Sequence, residues 1–167
     1  MTVTEMLRIQ FYDSYNMLKE IVKICPNELW SSENHGLPVW NQVIHTIMGS
    51  TFWLRVDYSS EFCRELPLPE KLGEKIINDD WVESTEGFLT KEEMQKCFDY
   101  LDKNLEAFWD SINDDMLCKN IREGHSFTYL SVISAQIRHI MCHVGMCNAA
   151  LIENGFDEVE WIAYGEN

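Results

Sequence analysis

His139 and His143 stand four residues apart in the run Ile137-Arg138-His139-Ile140-Met141-Cys142-His143-Val144-Gly145. An α-helix carries such a pair on one face, one turn apart. His45 lies in a separate apolar run that extends from Val39 to Met48. Two imidazoles on one helix face, joined by a third from a neighbouring helix, make a three-nitrogen site for a divalent metal. Three protein ligands leave a coordination position open to water or substrate, as in a catalytic rather than a closed structural centre. Burying imidazoles is costly unless each finds a partner, and a cation satisfies neutral rings well. Ligand type leaves the metal open, because imidazole suits zinc, nickel, copper and iron alike. His35 and His125 adjoin Gly36 and Gly124 and read as solvated loop residues.

The elements that must position these rings are four amphipathic helices. The first is expected from about Thr4 to Cys25 and is stopped by Pro26. The second starts near Pro38, with Val43, Ile44, Ile47, Met48, Thr51, Phe52 and Val56 on its apolar face and His45 beside it. The third begins at the capping box Thr90-Lys91-Glu92-Glu93 and ends at Asn113-Asp114-Asp115. The fourth runs from about Ser126 to Asn154 and is closed by Gly155, with an inward stripe of Val132, Ala135, His139, His143, Met146 and Ala150. Between the second and third, roughly Glu61 to Leu89 reads as a long connection that covers a pocket or joins an interface. The tail from Val159 to Tyr164 is apolar enough to dock. No strand run is convincing, so the expected class is all-α, a four-helix bundle over residues 1–167 as one domain.

Composition excludes several function classes. The chain has 13 basic and 28 acidic residues, a formal net charge of −15, and no Lys/Arg cluster. Nucleic acid and anionic membrane surfaces both need a basic face, so neither is an expected partner. No signal peptide and no long uncharged apolar run is visible, which reads as a cytoplasmic protein. The six cysteines include no C-x-x-C unit and read as reduced core thiols. Cys142 would be the fourth ligand of a closed site, but it too reads as a small core filler. The tryptophans contribute burial first, and Trp40 or Trp53 could wall a substrate cavity. Phosphate-binding, nucleophile-elbow and H-E-x-x-H motifs are absent, as are the Glu-x-x-His pairs of di-iron bundles.

In these features the chain resembles the DinB-like (DinB/YfiT-like) superfamily. The resemblance rests on the Trp-x4-His run Trp40 to His45, the His-x3-His-x-Gly run His139, His143 and Gly145, and the spacing of the four helices. It covers about Thr4 to Leu151 and departs at Met146, where members often carry glutamine. It implies an up-down-down-up bundle, one divalent metal (zinc or nickel) on His45, His139 and His143, and a homodimer. It also implies a metalloenzyme acting on a small molecule, of the type that transfers a low-molecular-weight thiol. The rival expectation is a non-enzymatic, stress-associated homodimer whose metal only stabilises the fold. A third is a plain bundle that has lost its metal.

Overall fold

The computed structural model describes residues 1–33, 36–58, 65–78 and 86–163. Its helices are α1 (Val3–Ile24), α2 (Asn27–Trp30), α3 (Val39–Trp53), α4 (Glu70–Asn78), α5 (Lys91–Ser111) and α6 (Tyr129–Glu153). The fold is all-α: five main helices pack together, and the described residues contain no sheet. No helix among them is long and apolar enough to cross a membrane.

Local chemistry sets the helix ends. Thr2 and Glu5 form a capping box on α1, and Thr90 and Glu93 form the expected one on α5. Helix α6 starts three residues later than the sequence suggests, because Thr128 and Ser131 cap it reciprocally. Its far end closes as expected: Gly155 has φ of 80°, and the Phe156 amide donates to the Leu151 carbonyl at 3.0 Å. Pro26 ends α1 and at once opens the short α2. Asp114 accepts from the amides of Val3 at 3.1 Å and Thr4 at 2.8 Å. It therefore caps α1 from a position 110 residues away in sequence; the hydrogen bond from the Thr4 hydroxyl at 2.6 Å, and then those from the amides, hold its carboxyl below the usual range.

Helix α3 sits at the centre. It packs on α6, α5 and α1, so it is buried nearly all round rather than on one stripe. Two of its buried hydroxyls are satisfied locally, Thr46 and Thr51 donating to the carbonyls of Gln42 and Ile47 at 2.7 and 2.8 Å, while the buried Ser50 hydroxyl has no partner among the described residues. The helix stops at Trp53, so Val56, expected on its apolar face, is 57% exposed. Trp40 is fully buried core.

The connection between α3 and α5 corrects a second expectation, because it contains helix α4. Ile76 and Ile77 from that helix wall a cavity, the role anticipated for this stretch. The pair Asp79-Asp80, Trp81, Cys63, His35 and Tyr164 lie outside the described residues. The tail docks through Val159, whose amide and carbonyl are both held by the Asn148 side chain, while Trp161 is 70% exposed.

The buried arc of α6 differs from the expected stripe. It comprises Val132, Ile133, Gln136, Ile140, His143, Val144, Cys147 and Leu151. At about 100° per residue, this arc centres on Ile140, with His143 about 60° and His139 about 100° to one side. Met146 falls about 20° further round, beyond the reach of the core, and is 46% exposed. The histidines thus occupy the edge of the arc.

Candidate metal centre

Helices α3 and α6 pack together and bring the three sequence-predicted histidines to one place. The ring centroids of His45 lie 5.1 Å from those of His139 and 5.0 Å from those of His143, and His139 and His143 are 4.7 Å apart. One nitrogen from each ring can be chosen so that all three lie within 4.8 Å of one another. His143 is buried, while His45 and His139 are half-buried. His125 sits elsewhere, in the loop before α6, where its Nε2 meets the Arg122 guanidinium at 2.6 Å.

Two glutamines decide which nitrogens face inward. Nδ1 of His143 meets Oε1 of Gln42 at 2.5 Å, and Nδ1 of His139 meets Oε1 of Gln136 at 3.4 Å. An amide oxygen only accepts, so each Nδ1 carries the hydrogen and, in a neutral ring, each Nε2 is a bare lone pair. Those two Nε2 atoms are 3.1 Å apart. With no proton to share, they repel unless a cation lies against both. Two nitrogens on a tetrahedral zinc are about 3.3 Å apart, given bonds of about 2.0–2.1 Å. Two adjacent nitrogens on an octahedral ion at the same bond length are about 2.9 Å apart. The separation fits either geometry.

Protonation agrees with this arrangement. Burial, then the neighbouring His139 and His45, push the His143 imidazole down to about 4. His139 is lowered by burial and by His45. Both rings are therefore neutral ligands at pH 7. Orienting partners of this kind fix the tautomer and raise ligand basicity. Neither glutamine was anticipated; the spacing Gln136-Ile137-Arg138-His139 is a local signal for the second pair, whereas Gln42 serves a ring on the other helix, which no local spacing shows.

Cys142 is not a core filler; it is exposed and does not join the histidine group. Cys118 is also exposed, while Cys25, Cys97 and Cys147 are buried as expected. Burial pushes Cys25 up to about 11, and Cys97 and Cys147 up to about 12, so these three are poor thiolates.

A cavity of about 430 Å³ opens onto His45 and His139, walled by Met48, Phe52, Trp53, Ile76 and Ile77 among others. Another depression, of about 450 Å³, lies at the start of α1, but Asp114 and Glu5 there are already committed to capping. Of the two tryptophans considered for a cavity wall, Trp53 takes that place.

Gly49 is what lets the two helices close on His139. A Cβ there would stand 2.9 Å from Cε1 and 3.1 Å from Nδ1 of that ring. A Cβ on Gly145, the glycine of the histidine run, would meet nothing within 4 Å. Alanine is the better helix former by about 1 kcal/mol, and the atoms it would strike belong to a side chain. Gly49→Ala should therefore keep or raise the thermal midpoint of the metal-free chain while weakening zinc binding about tenfold. A chelator-competition titration reads this, and unchanged affinity would mean that the His139 ring has other room.

No family model, curated protein or solved structure matches the chain.

Proposed function

We propose that the chain is a DinB-like metalloprotein of one domain, an up-down-down-up four-helix bundle with one divalent metal, zinc or nickel, on His45, His139 and His143. We further propose that it is an enzyme of the thiol S-transferase type, working as a homodimer in the cytoplasm. The observation that carries the metal reading is the pair of bare Nε2 atoms facing each other at 3.1 Å, each imidazole turned that way by a glutamine oxygen.

When bound, such a metal brings the pKa of a coordinated water or thiol towards neutrality. The chain's own residues then do the rest. Gln42 and Gln136 hold two imidazoles in the ligating tautomer. Gly49 admits the His139 ring. The walls of Phe52, Trp53, Ile76 and Ile77 hold the acceptor molecule and limit water. The buried cysteines are too weakly acidic to serve as the attacking sulfur, so the thiol arrives as a substrate. Its sulfur forms a bond to the electrophilic carbon of the acceptor as the bond from that carbon to its leaving group breaks; the leaving group departs with that electron pair, and the thiol proton goes to solvent.

The structural-site reading requires a fourth side chain to close the group. Cys142 was its candidate, and its exposure, away from the group, counts against it. The enzyme reading is favoured instead by a cavity that opens onto two of the three rings, His45 and His139.

Elemental analysis of protein purified without a nickel column tests the metal reading. About one metal per chain is expected, or stoichiometric uptake on adding zinc or nickel. No bound metal and no uptake would leave a plain helical protein.

A further inference from the structure

The cavity beside the histidines does not end at them. A second cavity of about 320 Å³ shares Trp53, Ala135 and Gln136 with the first and adds Phe127, Ser131 and Arg138. Together they form a cleft beside α6: the first cavity opens onto His45 and His139, and Arg138 lines the second from an exposed position. Trp53 stands at the junction. Its ring is braced edge-on by Phe52 at 4.7 Å and by Phe127 at 5.6 Å, so it presents a fixed apolar wall.

Two polar groups on this cleft have spare capacity. Gln136 is 5% exposed, and its oxygen is taken by His139. Its amide nitrogen meets no acceptor among the described residues, although it lines both cavities. That nitrogen is still reached from solvent, so an acceptor entering the cleft can take its hydrogen. Arg138 likewise forms no ion pair with any carboxylate among the described residues, in a chain where acids outnumber bases by 28 to 13. A field of net charge −15 repels anions, so an anionic ligand needs a local cation, and Arg138 supplies one on the cleft.

We infer that the cleft takes a small amphipathic carboxylate: an acid group on Arg138, an apolar spacer along Trp53, and a polar reacting end beside Gln136 and the histidines. This names the acceptor class for the proposed enzyme and rests on that reading for the chemistry at the far end. Binding of the acid and spacer needs no metal.

Octanoate and 1-octanol are suitable probes, because they share the spacer and differ in the head. Isothermal titration calorimetry on metal-free protein, with a chelator present, should give octanoate an affinity about tenfold above that of 1-octanol. Arg138→Gln, at an exposed position, should bring octanoate to within about twofold of 1-octanol, and Arg138→Lys should restore most of the difference. Ala135→Leu, which fills both cavities, should weaken both probes.

No preference for octanoate in the wild type, no effect of Arg138→Gln, or no binding of either probe at millimolar concentration would each overturn the inference. Octanoate preference in a protein that takes up no metal would sink the metal reading alone. A metal-loaded protein without the preference would sink the cleft assignment alone.

Discussion

His143→Ala should abolish stoichiometric metal binding. Removing one of three ligands takes away a buried imidazole whose tautomer is already set by Gln42, so the site cannot compensate by turning another ring. We expect zinc affinity to fall by about a thousandfold or more, on the order of 4 kcal/mol. In the wild type, zinc at about a thousand times its dissociation constant should raise stability by about 4 kcal/mol, and this increment should vanish in the variant. The substitution also leaves Gln42 Oε1 without its partner in the core, which costs about 1–3 kcal/mol in the metal-free chain. His139→Ala and His45→Ala act at half-buried rings and separate the two effects, because they should lose the metal at a smaller cost to the fold. Elemental analysis beside circular dichroism reads both quantities. Full metal content in His143→Ala would remove this residue from the ligand set.

The metal-free chain should lose stability as pH falls from 7 to 5, and His143 should account for roughly 2 kcal/mol of the loss. Its folded pKa is lowered to about 4, against about 6.5 for an unfolded histidine. Between those values the unfolded state binds the proton and the folded state does not, so stability rises with pH across that window. The contribution is fully present above the unfolded value and declines as pH falls towards the folded one. Below about pH 4 both states are protonated and nothing further is lost. Urea unfolding in chelator at pH 7 and pH 5 should therefore show a drop smaller by roughly 2 kcal/mol in His143→Gln than in the wild type. Equal drops would mean that the buried ring is not neutral in the fold. With metal present the wild-type dependence should steepen, because protons then also compete for the ligand nitrogens.

Much of this site was legible from spacing within single helices. His139 and His143 had to share a face whatever α6 packed against. The Thr90 capping box and the left-handed Gly155 are contacts between residues a few positions apart, so periodicity and residue type suffice to find them. Met146 shows the limit of the same reasoning. A spacing of three or four residues assigns a side chain to a stripe, but which arc of that stripe is buried depends on where α1 and α3 press against α6. Helix α4 was missed because Gly73 and the flanking prolines read as connection, while the burial of Leu72 and Ile76 arises only in the folded chain.

What the chain determined by itself is its set of helices, their ends, and the three imidazoles they carry, since those follow from hydrogen bonds and rotations internal to each segment. The register between α3 and α6 was decided only by packing. That register turned Gln42 on one helix into the partner of His143 on the other. It also made Gly49 the gap that admits His139. Long-range side-chain pairing depends on how two surfaces interlock, and no periodicity within either surface encodes it.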